Sequence, residues 1–240
     1  MTESARALCD DWYVNLKLGL KLNQDRERQT VLDLFDRVRR QFPGMTNFRR
    51  YKDELALEAD SSSANHQWVA LRERSLRAGS VNPTRPEDAY AFHRAILEIA
   101  PFFLGVSPLD ADFVELLFGF DMATDDPQDA IVGRALLAGS PVASLLDVPG
   151  AAVTSCQPSV GLMLEGRVEA QIEVKTRQRT DRGVEPLSVY VTLRKLGPFS
   201  RVEDLPGVVD GLGERAEGLV KEFAVPRLIR PLHEAIRGGL

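Results

Sequence analysis

Tyr13-Val-Asn-Leu-Lys-Leu-Gly-Leu-Lys-Leu22 and Phe113-Val-Glu-Leu-Leu-Phe-Gly-Phe-Asp-Met122 align without a gap, at an offset of 100 residues. Every second position is apolar in both segments. Val14, Leu16, Leu18, Leu20 and Leu22 are answered by Val114, Leu116, Phe118, Phe120 and Met122. A period of two belongs to a strand with one face in a core and the other free. The outward set is Tyr13, Asn15, Lys17, Gly19 and Lys21 in the first copy, and Phe113, Glu115, Leu117, Gly119 and Asp121 in the second. Gly19 falls on Gly119. An echo of this kind predicts a fold built from two copies of one unit.

The chain around these strands can be read as two halves. A helix is expected over 26–41, with Val31, Leu34, Phe35, Val38 and Phe42 at helical spacing, ended by Pro43-Gly44. Its counterpart begins at Pro127, runs through Ile131, Ala135, Leu136 and Leu137, and is closed by Pro149-Gly150. Strands follow at 53–58 and 68–76 in the first half, and at 160–164, 168–175 and 189–194 in the second. Val69-Ala-Leu-Arg72 matches Val191-Thr-Leu-Arg194. Thr84-Arg-Pro-Glu-Asp88 matches Ser200-Arg-Val-Glu-Asp204, and each reads as a capping box, a hydroxyl N-cap with Glu at N3. The helices they open are expected over 86–103 and 202–223, the latter weakened by Pro206, Gly207, Gly211 and Gly213. A last amphipathic piece covers 226–236.

The predicted fold class is therefore α+β. It is an internal duplication of a β-α-β-β-α unit, with a mixed or antiparallel sheet, helices packed on one face and a pseudo-two-fold. Residues 1–107 form the first repeat. Residues 108–240 form the second, with a longer hairpin and a C-terminal helical extension, the whole folding as one compact domain. In layout this resembles duplicated saddle-type or ferredoxin-like folds, a likeness of architecture that carries no function.

Composition bounds the rest. The 240 residues are 44% hydrophobic and 27% charged, with net charge -5 and a pI near 5.4. A mildly acidic chain argues against a dedicated nucleic-acid binder, which needs a basic footprint. Cys9 and Cys156 are too few for a disulfide framework and read as free thiols in a reducing, cytoplasmic compartment. No apolar run is long enough to span a bilayer, so no membrane is expected.

No catalytic, metal or nucleotide motif stands in the chain, and no cofactor or metal is expected. His66, His93 and His233 lack partners at metal spacing. Asp121, Asp125, Asp126 and Asp129 cluster, but lack the order of a calcium loop and are expected to cap a helix. The basic tract at 175–182 reads as a solvated hairpin tip, with single-strand nucleic-acid binding as its functional alternative. The outward sheet face is the better candidate. Parity places Tyr13, Trp68, Phe113, Leu117 and Tyr190 there, with Lys17, Arg72, Arg74, Glu115 and Arg194. Aromatics beside arginines make anchors for a protein or small-molecule ligand. We expect a non-catalytic binding module that uses this face or the groove between repeats. Its candidate contact residues are Trp68, Arg72, Tyr190, Arg194, Tyr13 and Phe113. Coverage of the face by protein, including a homo-oligomeric partner, is favoured over an open platform. The enzymatic alternative places a site at the seam, with Glu73, Asp121, His66 and Cys156 as candidates.

Overall fold

The two matching segments become the two middle strands of one sheet. In a computed structural model, which describes residues 3–24, 27–60, 66–176 and 185–238, β1 (Asp11–Leu20) pairs antiparallel with β6 (Ala111–Met122). The remaining strands are β2 (Met45–Arg50), β3 (Leu55–Ala59), β4 (His66–Arg72), β5 (Ser75–Val81), β7 (Ser159–Leu164), β8 (Val168–Lys175) and β9 (Leu187–Leu196). All nine form one antiparallel sheet in the order β2-β3-β4-β5-β1-β6-β9-β8-β7.

Alternation in β1 and β6 sets which face is dry. Val14, Leu16, Leu18, Val114, Leu116, Phe118 and Phe120 are fully or almost fully buried. Each such side chain is worth roughly 1.5–3 kcal/mol relative to exposure. They lie under a layer made by α2 (Arg28–Gln41), α3 (Pro86–Phe103), α5 (Leu205–Leu219) and α6 (Arg230–Arg237). Two short helices, α1 (Glu3–Arg6) and α4 (Gln128–Val132), complete the set. Leu22, expected to point inward, lies past the end of β1 and is 63% exposed.

Several elements differ from the sequence expectation. The strand expected over 68–76 is a hairpin, turning at Glu73-Arg74 between β4 and β5. The consecutive charges Arg72-Glu73-Arg74 make that turn soluble. Strand β2 was not expected, because Met45-Thr-Asn-Phe-Arg-Arg50 has no alternation. It is an edge strand and needs only one buried residue, Met45. The helix expected from Pro127 to Pro149 is only five residues of α4, a wider turn over Gly133–Leu137 and a 3-10 segment over Pro141–Leu145. Gly139, at φ +76, and Pro141 end the regular run.

The C-terminal region departs the other way. Helical structure is nearly unbroken from Val202 to Arg237, with Pro226 inside a π-helical stretch over Val220–Ile229. The glycine that looked like a weakness is a packing device. A Cβ on Gly213 would sit 2.7 Å from the Tyr90 ring, so glycine lets α5 approach α3. Tyr90 then donates its hydroxyl to Glu217 at 2.9 Å.

Both helical runs start where expected, at Pro86 and Val202, but their caps sit one residue later than Thr84 and Ser200. Arg85, not Thr84, is the N-cap of α3, and its backbone N–H donates to Asp88 at 3.0 Å. Arg201, not Ser200, precedes the final helical run and pairs with Asp204. The Val-x-Leu-Arg match does not mark equivalent strands. Residues 69–72 lie in β4, two places from β1, whereas 191–194 lie in β9, directly beside β6.

Candidate functional site

Among the described residues no helix packs over the second face of the sheet. Its side chains stand outside the core and are partly exposed. The C-terminal helices do not cover it: they join the helix layer on the other face. Where a groove between the halves is expected, β1 and β6 pair in a ladder that keeps register from Asp11 to Gly19.

The face is organised around three glycines. Gly19 opposes Phe113 and Gly119 opposes Tyr13 in the β1–β6 register. Gly79 opposes Trp68 in the β4–β5 register. In each case the aromatic ring lies where the missing Cβ would be. Laying a ring over a bare glycine fills the pleat and covers backbone that would otherwise face water. The two central pairs are reciprocal, each strand giving one ring and taking one.

Cations then stack on the rings. The Arg194 guanidinium is 4.3 Å from the Phe113 centroid, with Lys17 on the same ring at 5.4 Å. Arg77 lies 5.4 Å from the Trp68 centroid. Each cation over a ring of this kind contributes about 0.5–1 kcal/mol at an exposed site. Carboxylates hold the arginines in place. Arg194 donates two hydrogen bonds to Glu115, at 2.6 and 2.8 Å, and approaches Glu169 at 3.8 Å. Glu54 accepts from both Arg72, at 2.6 Å, and Arg77, at 3.1 Å.

At the other end of the central ladder, Asp121 accepts from Ser188 Oγ at 2.7 Å and from the Tyr13 hydroxyl at 3.3 Å. Burial, a hydrogen bond with Tyr190 and the Asp121 charge together push the Tyr13 phenol well above its usual range, so it stays a donor. Tyr13, Asn15, Trp68, Val81, Asp121, Glu185 and Pro186 line an open depression here. Asn15 Oδ1 is buried within it, with no hydrogen-bond partner.

All six contact residues expected from the sequence share this face. They span β4, β5, β1, β6 and β9, a width of roughly 19 Å at strand spacing. Arg72 is the most open, with half its side chain exposed. Arg74 is not a face residue. It lies in the β4–β5 turn and donates to the Leu20 and Lys21 carbonyls at 3.3 and 2.7 Å. Asn15 is in the outward set but not among the expected contact residues; Arg77 and Glu54 stand outside the sequence expectation, Arg77 because 68–76 reads as one strand. Splitting it at the charged triplet would have put Arg77 beside Trp68 by parity.

The four enzymatic candidates are not brought together. His66 on β4 is separated from Asp121 on β6 by β5 and β1, roughly 14 Å of sheet. Glu73 lies in the turn at the opposite end of these strands. Cys156 is buried, and its backbone N–H donates to Asp129 at 2.6 Å. Burial pushes its thiol upward, which opposes nucleophile formation. Asp129 also accepts from Thr176 Oγ1 at 2.6 Å, so it clips α4 to the end of β8 rather than capping its own helix. Among the described residues no three His, Cys, Asp or Glu side chains gather as a metal ion would require. No helix among them is long and apolar enough to cross a membrane. Of the basic tract at 175–182, residues 177–182 lie outside the described residues; Lys175 pairs with Glu173 at 3.1 Å.

No protein-family model matches the chain, and no curated protein matches it in sequence.

Proposed function

We propose that this protein is a non-catalytic binding module whose working surface is the face carrying Tyr13, Phe113, Trp68, Tyr190, Arg72 and Arg194. The observation that carries the reading is the uncovered aromatic floor. Its rings are set on glycines, and arginines are held above them by Glu115 and Glu54. Anchored aromatics and oriented guanidinia lose little freedom on binding, which favours recognition of carboxylate-bearing or aromatic groups on a protein or small molecule.

The platform is built, in this reading, by duplication of one unit about a pseudo-two-fold. Two features support it. Leu16 faces Leu116 in the central ladder, so the 100-residue offset and the register share one axis. The Tyr13–Gly119 and Phe113–Gly19 pairs are reciprocal about that axis.

The test is the double variant Arg72→Ala/Arg194→Ala, used as bait in lysate of the source organism with the melting temperature recorded alongside. Partners captured by the wild type should be lost, with the fold retained. Recovery of the same partners at the same yield refutes the proposal.

A further inference from the structure

The two edges of the sheet are built differently. Strand β2 ends in Arg49-Arg50 and carries a register irregularity between Met45 and Asn47. Charges and irregularities of that kind keep an edge from pairing with another chain. Strand β7, Ser159-Val-Gly-Leu-Met-Leu164, has no charge, no proline and a regular six-residue ladder to β8. The helix layer stops short of it. Val160 is 56% exposed, Leu162 41% and Met163 66%.

The phase of the ladder says which groups of β7 are unused. Val174 N–H donates to the Pro158 carbonyl at 2.9 Å, so residue 158 turns its polar backbone toward β8. Strand alternation then turns Val160, Leu162 and Leu164 the same way, and turns the N–H and C=O groups of Ser159, Gly161 and Met163 outward. Among the described residues no strand pairs with that outer edge.

These three residues are symmetric about Gly161. We propose that β7 is a self-pairing edge, joining a second copy of this chain as an antiparallel β7–β7 ladder with Gly161 on the two-fold axis. Gly161 then faces Gly161 of the second copy, and Ser159 faces Met163. Every unused donor and acceptor of the strand finds a partner. Val160 and Leu162, on the other face, meet across the axis and bury one another. A two-fold places each residue against its own kind, so any charge near the axis would face itself; β7 carries none. The pairing continues both sheets in one plane with the ring-bearing faces on the same side.

The register gives a test that unfolding cannot mimic. A Cβ at Gly161 meets nothing within 4 Å, so a side chain is tolerated in the single chain. Sedimentation velocity on the wild type at about 50 μM should give twice the 26.6 kDa chain mass. Gly161→Lys and Gly161→Glu should each shift to monomer with an unchanged circular dichroism spectrum, because like charges meet on the axis. Mixed in equal amounts, the two should recover the dimer. A monomeric wild type overturns the proposal and assigns the edge to a strand from another protein. Variants that stay dimeric, or that remain monomeric when mixed although folded, overturn the Gly161-centred pairing.

Discussion

His93 gives the sharpest stability prediction. It sits on α3, fully buried, with Nε2 3.0 Å from the Val14 carbonyl of the central strand β1. A carbonyl only accepts, so Nε2 carries the proton and Nδ1 is bare. Nδ1 is also buried and has no hydrogen-bond partner. Adding a proton there would place a charge and an unanswered donor in the core. Burial accordingly lowers the imidazole from 6.5 to about 4, against a smaller opposing effect of the Val14 hydrogen bond. The unfolded chain takes up this proton below about pH 6.5 while the folded chain refuses it. The contribution is thus fully present above 6.5 and is lost as pH falls toward 4. Between about pH 7 and pH 5 the loss from this group alone is about 2 kcal/mol, a large share of a typical 5–15 kcal/mol stability. Urea melts at half-unit pH steps should record that decline in the wild type. His93→Gln keeps a donor for Val14 and cannot titrate, so its stability should be nearly flat over the same window. Parallel declines in both proteins would refute the assignment.

Other outcomes can be checked more simply. Gly213→Leu drives a side chain into the Tyr90 ring at the α3–α5 contact and should cost about 1–3 kcal/mol in urea melts, the usual range for overpacking. Phe113→Ala uncovers Gly19 and removes the ring under Arg194 and Lys17; a loss of about 1–2 kcal/mol is expected, and unchanged stability would show that the ring is not structural. Cys9 is pushed up to about 12, mainly by burial and then by Asp10 and Asp11, and Cys156 is also raised. Both thiols should react with a disulfide reagent at pH 8 more slowly in the native protein than in urea, Cys9 by at least about tenfold, since only the thiolate attacks.

Much of the sheet was legible from Val14-x-Leu16-x-Leu18 and Val114-x-Leu116-x-Phe118, because a half-buried strand writes its two faces in alternate letters. The ring-bearing face followed from the same parity, which is why Tyr13, Trp68, Phe113 and Tyr190 were placed correctly. What failed was local. The β4–β5 turn has no Gly, Pro or Asn; its one mark is the charged triplet Arg72-Glu73-Arg74, which an exposed strand can also carry. Gly213 reads as a helix weakness until Tyr90, 123 positions earlier, is seen to occupy its side. The rings over Gly19, Gly79 and Gly119 also need cross-strand register, which a single sequence does not carry. The glycines themselves, lone in strongly alternating strands, were the available signal.

The place of β1 in the strand order has a consequence for synthesis. In a chain made from the N-terminus, β5 to β2 can assemble on one side of β1 as soon as Val81 is available. The other side of β1 waits for β6, whose first residue is Ala111, and the sheet closes only when β9 is complete at Leu196. Until β6 is made, β1, which carries the core residues Val14, Leu16 and Leu18, is an open edge, the kind of surface on which nascent chains pair with one another. Lys17 on its outward face and Lys21 just past its end are charges that guard it until Glu115 arrives opposite Lys17.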